Sequence, residues 1–260
     1  MPRLLATLAL LALTPCALGE EPPRPLEVDW VLDGVVTGAT LTAWGVSGLL
    51  DNTLAPRTCR WCGTLALDAR ARDAVAWSNP GTATRTSDVL AVVLPLGVGL
   101  YDLLAARAAG DIGLAGQDVL LIGESVGVAS VISQVARFTT ARQRPEAYYG
   151  GGSGGRADHL SFWSGHSATV FSAVAAGGTV ARLRGYQGWP WVYAVGFTAA
   201  ATTGYFRMAG DQHWLSDTLV GAAVGTGAGL LIPWLHRSGG GPEDLRVVPV
   251  PGGLAVAGGF

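Results

Sequence analysis

Three arginines, two histidines and a carboxylate recur in a fixed order along the second half of the chain. Arg137 is followed seven positions later by Arg144-Pro145, then comes Ser164-Gly165-His166, and then Arg207 with His213 and Asp217. Only 14% of the 260 residues are charged, so such a grouping is dense. Each member falls at the end of an apolar run, where neighbouring helices can bring them to one surface. The residue types suit a bound phosphate and a histidine nucleophile.

Phosphoryl transfer asks a protein to position the group and to neutralise the oxygens that carry charge in the transition state. The planar fork of arginine binds phosphate oxygens in pairs, which fits Arg137, Arg144 and Arg207. Ser164-Gly165-His166 immediately precedes an apolar segment, so its free N–H groups and positive dipole end form an anion site. Gly165 permits close approach, and His166 is placed to protonate a leaving alkoxide. His213 and Asp217 are four apart. On a helix the carboxylate would accept the imidazole N–H and leave the other nitrogen free to attack phosphorus. A single histidine at a helix end is usually structural; the linked set at these spacings favours catalysis. The scheme needs side chains alone, so no metal and no cofactor are expected.

The elements that must hold these residues are apolar. Hydrophobic residues make up 49% of the chain and there are 38 glycines, with a mean hydropathy of +0.36. Small residues let helices approach closely in a bilayer. Six apolar segments are read at 30–50, 89–106, 119–136, 168–180, 191–205 and 218–235, most of them near the length that crosses a hydrocarbon core. Ser87-Asp88, Asp118, Ser164 and Ser216-Asp217 sit where N-caps belong. Trp189, Trp191, Trp214 and Trp234 lie at segment ends, as an interfacial belt would place them. No segment alternates with period two, which argues against a transmembrane barrel. A net charge of −2 and the lack of a basic stripe exclude nucleic acid as a partner.

Residues 1–19, with Arg3 and an apolar stretch, read as a signal peptide or an N-terminal anchor, and 20–237 as the functional domain. The stretch 51–85 reads as a polar, Arg-rich loop. Its Cys59 and Cys62 are best explained as a local disulfide, since two thiols without a second ligand pair make a poor metal site. Glu124, inside an apolar segment, is expected to be paired within the bundle, whereas Asp33 and Asp102 read as interfacial. The Gly-rich stretch 150–155 lacks the lysine and preceding strand of a nucleotide-binding loop. The tail, 238–260, reads as a small hairpin around Pro251 or as unstructured.

Taken together, Arg137 to Pro145, Ser164 to His166 and Arg207 to Asp217 resemble the three linked motifs of the type 2 phosphatidic acid phosphatase family. That family shares its site with vanadium haloperoxidases and bacterial class A acid phosphatases. The resemblance implies an all-α, six-helix transmembrane bundle of this type. It implies that His213 is the nucleophile, His166 the acid and Asp217 the orienter, with Arg137, Arg144, Ser164, Gly165 and Arg207 holding phosphate. The implied substrate is a lipid phosphate or an isoprenoid pyrophosphate. Three positions depart from the family pattern: Arg137 stands for Lys, Trp163 for Pro and Phe206 for Ser. The rival readings are an exported soluble acid phosphatase, a haloperoxidase and a non-catalytic binder of phospholipid headgroups. A disulfide would place the constellation outside the cytoplasm, whereas a cleaved leader would place it inside. An uncleaved N-terminal helix reconciles most of this, and the expected location is the inner membrane of a bacterial-type cell with a periplasmic active site.

Overall fold

The computed structural model describes residues 25–238, 246–250 and 253–257; the expected leader at 1–19 lies outside them. Among the described residues, six helices of 18 residues or more form a bundle: α1 (Leu32–Leu49), α4 (Pro80–Ala108), α5 (Gly113–Thr140), α7 (Gly165–Leu183), α8 (Trp189–Ala209) and α9 (Leu215–Leu235). Each contains one of the six apolar segments, apart from a residue or two at an end. Three short helices join them: α2 (Asp51–Leu54), α3 (Ala66–Val75) and α6 (Pro145–Tyr148). The tail forms an antiparallel hairpin, β1 (Arg246–Val250) with β2 (Gly253–Ala257).

The bundle is apolar on the outside and small on the inside. Val89, Val92, Leu96 and Leu100 on α4, and Val195 on α8, are exposed, while Ala168, Ala173, Ala175 and Ala176 of α7 are fully buried. That distribution suits lipid, where packing rather than hydrophobicity holds helices together. Among the described residues, α4, α5 and α9 are long and apolar enough to cross a membrane. Thr40, Thr86, Thr198 and Thr202 donate back to the carbonyl four residues earlier, which satisfies their hydroxyls inside their own helices.

α7 and α9 cross so closely that only glycine fits between them. A Cβ on Gly221, Gly225 or Gly229 would lie 2.5, 2.3 or 2.4 Å from the carbonyl oxygens of Ser164, Ala168 and Ser172. Glycine at every fourth position thus gives α9 a face with no side chains. The contact registers the start of α9 against the start of α7 and sets His213 and Asp217 beside Ser164 and His166.

The structure corrects several sequence expectations. The stretch 51–85 is not a plain loop: it holds α2, α3 and the start of α4, whose Pro80 occupies the first turn. Asp88 and Asp118 are not N-caps, because α4 and α5 begin well before them and place both inside helices. Asp33 and Asp102 are buried rather than interfacial, and Trp214 is 1% exposed and lies within the protein rather than in a belt.

Candidate active site

The C-terminal ends of α1, α5 and α8 and the N-terminal ends of α4, α7 and α9 meet at one end of the bundle, and the predicted residues meet there. Ser164 is the N-cap of α7, its hydroxyl accepting from the Ser167 N–H at 3.3 Å. Gly165 opens the helix, and a Cβ there would touch the Arg137 guanidinium at 3.6 Å. Arg137, in the last turn of α5, therefore lies across the N-terminus of α7. Arg144 follows in the loop, and Arg207 comes from the last turn of α8.

Two of the three guanidiniums share one pattern, while Arg207 donates directly to Asp88. Arg137 donates to Gln134, which in turn donates to Asp51 at 2.7 Å. Arg144 donates to Gln212, which donates to Glu146 at 3.0 Å. In both cases a neutral amide stands between the cation and the nearest carboxylate, so the positive charge is held in place without being cancelled. The Nε groups of Arg137, Arg144 and Arg207 are buried and have no hydrogen-bond partner among the described residues. Buried donors of this kind are costly unless an anion uses them.

His213, 2% exposed, occupies the turn between α8 and α9. Its Nδ1 donates to the Ser161 carbonyl at 2.7 Å. A carbonyl can only accept, so the neutral ring carries its proton on Nδ1 and leaves the Nε2 lone pair free. Burial first, and then the charges of Arg207 and Arg144, hold its pKa well below the ordinary histidine value. At neutral pH it is a free base. Burial likewise lowers the pKa of Arg144, although a carboxylate, Asp51 foremost, opposes the shift.

Asp217 does not orient His213 directly. Its Oδ2 lies 3.9 Å from Nδ1, without a hydrogen bond. Helical spacing brought the two within range, but Asp217 is the third residue of α9 and turns back to cap it, accepting from Trp214 N–H at 2.9 Å. It also accepts from Ser161 Oγ at 2.5 Å and from Arg142 at 2.5 Å. Asp217 thus fixes Ser161, and the Ser161 carbonyl fixes the histidine. Arg142, 0% exposed, was not singled out from the sequence. It bridges Asp217 and Asp68 (2.6 Å, from α3) and lies over the Trp61 ring at 3.9 Å.

His166 Nε2 lies 2.9 Å from Asp88 Oδ1, which also accepts from Arg207 at 2.9 Å. Asp88 was likewise missed as a site residue, and so was Gln212. Their only sequence signal was position: Asp88 is an acid immediately before an apolar run, and Gln212 fills a spacer of the third motif. Of the altered motif positions, Phe206 packs edge-on against Trp77 at 5.7 Å, and the Trp163 carbonyl accepts from Ser133 at 3.4 Å. Both point to local packing roles.

Cys59 and Cys62 form a disulfide. Their loop is pinned to this end of the bundle, with Arg60 N–H donating to the Ala141 carbonyl at 3.0 Å and Gln143 N–H to the Trp61 carbonyl at 3.0 Å.

Residues 118–239 match the family described as the PAP2 superfamily. A curated relative, the lipid A 1-phosphatase of Porphyromonas gingivalis, is 33% identical over 118 residues, covering 45% of this chain and 24% of the relative. The chain therefore spans about a quarter of the length of that relative. No solved structure matches. Asp68 and Asp88 lie upstream of the matched segment, so part of the site's support comes from outside it.

Proposed function

We propose that this chain, which belongs through residues 118–239 to the PAP2 superfamily, is a membrane phosphatase that hydrolyses a lipid phosphate monoester or a lipid pyrophosphate through a phosphohistidine on His213. The observation that carries this reading is the convergence of three guanidiniums, each with a buried and unpartnered Nε, on a free-base histidine.

The phosphoryl oxygens bind to Arg137, Arg144, Arg207 and the N–H groups at the start of α7. The Nε2 lone pair of His213 attacks phosphorus, and the bond to the leaving oxygen breaks. That oxygen takes a proton from His166, which Asp88 holds in place. Water then gives up a proton to His166, attacks phosphorus and releases phosphate from His213. Asp217, Ser161 and Arg142 act as positioning residues throughout.

The apolar outer surface and the three candidate spans support a membrane location. Membrane embedding, together with the likeness to a bacterial lipid A 1-phosphatase, supports a lipid substrate in a bacterial membrane. The disulfide at the site end supports an extracytoplasmic active site.

The test is phosphate release by purified protein in detergent, with a lipid monophosphate, an isoprenoid pyrophosphate and a soluble monoester side by side. Release from the lipids that survives chelator and disappears in His213→Ala is expected. A folded protein that releases phosphate from none of them, yet retains lipid phosphate, is a headgroup binder. Equal release by both proteins would mean that His213 is not the nucleophile.

A further inference from the structure

At the opposite end of the bundle lies a second group of ligating side chains that the phosphatase reading does not use. Asp33 stands in the first turn of α1, Glu124 in the middle of α5 and His236 immediately after α9. One ligand atom from each lies within 4.8 Å of the other two. Glu124 is 13 residues from Arg137 along α5, about 20 Å at the helical rise, so the two sites are separate.

The hydrogen bonds leave three ligand atoms of this group facing one another. His236 Nδ1 donates to the Ile232 carbonyl at 2.8 Å. That fixes the proton on Nδ1 and turns Nε2 toward Asp33 Oδ1 at 3.4 Å and Glu124 Oε2 at 4.0 Å. A neutral imidazole would then present a lone pair to two carboxylates. Glu124 Oε2 is buried and has no hydrogen-bond partner among the described residues, and Glu124 as a whole is 8% exposed. Asp33 is held in place by the Asp29 N–H, which donates to its Oδ2 at 2.8 Å. Asp33 and His236 line an open cleft with Glu27 and Asp29, which gives a cation an entry path.

We propose that Asp33, Glu124 and His236 bind a divalent transition-metal ion of the zinc or manganese type. Two carboxylates and one imidazole whose second nitrogen is hydrogen-bonded form a ligand set for these ions. The imidazole argues against magnesium and calcium, which prefer an all-oxygen shell. The three atoms draw in from separations of up to 4.8 Å to sit about 2.0–2.2 Å from one ion, and water fills the remaining positions from the cleft. The ion joins α1 to α5 and to the segment after α9. That segment is already paired with the chain ahead of α1, where Glu27 N–H donates to the His236 carbonyl at 2.7 Å. The ion is a staple for the first helix, and it takes no part in the phosphoryl chemistry.

The experiment uses tag-free, full-length protein in detergent, with Cys59 and Cys62 kept oxidised. The protein is stripped with chelator and then titrated with zinc or manganese chloride. Bound metal is counted by elemental analysis, and thermal unfolding is followed by intrinsic fluorescence. About one equivalent of metal is expected, with a rise of several degrees in Tm. Glu124→Gln and His236→Gln should each weaken binding by at least tenfold and remove the rise, while both variants keep their phosphate release. No retained metal, with a Tm indifferent to added ions, would overturn the proposal. Equal metal retention by wild type and both variants would overturn it as well.

Discussion

Gln212 and Gln134 decide how much positive charge the site keeps. Each accepts from an arginine and passes its own N–H to a carboxylate, so Glu146 and Asp51 organise the guanidiniums without neutralising them. Gln212→Glu would put a carboxylate directly on Arg144 and compete with phosphate. KM for a lipid phosphate is expected to rise by at least about tenfold, about 1.4 kcal/mol, in steady-state assays. His213 supplies a pH signature. Its depressed pKa means that the acid limb of kcat/KM falls below the ordinary value of 6.5. Arg144→Gln removes one of the charges that disfavour the imidazolium, so the limb should move to higher pH; a limb that stays fixed would separate Arg144 from His213. The stability sign follows from the same shift. The native ring stays neutral, while the unfolded ring takes up a proton below about pH 6.5, so the group lowers stability as pH falls through that value. The motif residues were legible in the sequence because their types and order carry the chemistry. Gln212, Asp88 and Arg142 were not, because their roles depend on partners 68, 78 and 75 positions away. Arg142→Met should cost about 3–5 kcal/mol, because it leaves the Asp68 and Asp217 carboxylates buried without their cation. Denaturant unfolding in detergent would measure that loss.

At the scale of elements, the glycine face of α9 is the device that turns sequence spacing into site geometry. Apolar runs announced all six long helices, but periodicity could not say which face of α9 would meet which helix. Nor did it reveal α3, whose sequence ALDARARDAV is short and charged. That helix matters because Asp68 reaches Arg142 and Ser216 from it, and Arg72 forms a two-pronged pair with Asp211 beside the His213 turn. Two neighbouring glycines on α9 separate packing from propensity. A Cβ on Gly225 would meet the Ala168 backbone, with its carbonyl oxygen at 2.3 Å, whereas one on Gly227 meets nothing within 4 Å. Gly225→Ala should therefore destabilise by about 1–3 kcal/mol and lower kcat by displacing the His213 turn from α7. Gly227→Ala should instead gain about 0.5–1 kcal/mol and leave kcat unchanged. Thermal unfolding and turnover on the two variants check both arms, and equal effects would remove the close crossing as the cause.

For the whole molecule, the open question in the sequence was which end faces which compartment, because arginine counts, leader and cysteines pointed different ways. The structure links three segments of the chain. The Cys59–Cys62 loop, the 141–164 connection and the 210–214 turn are hydrogen-bonded to one another or to shared partners at the site end. They must therefore share one side of the membrane. The turn after α7, with Tyr186 bound to Asp118 at 2.8 Å, belongs to the other side. A disulfide persists in an oxidising compartment, so the site end should face outward, with the 184–188 turn in the cytoplasm. Single reporters test this in a Cys16→Ser background, with the native pair left oxidised. Ser153→Cys, exposed in the site-side loop, should react with a membrane-impermeant maleimide on intact cells, and Gln187→Cys, exposed in the opposite turn, only after permeabilisation. The reverse pattern would place the catalytic end in the cytoplasm and make the disulfide a feature of the isolated protein. It would also require the lipid phosphate to be presented from the inner leaflet, a different substrate pool for the same histidine chemistry.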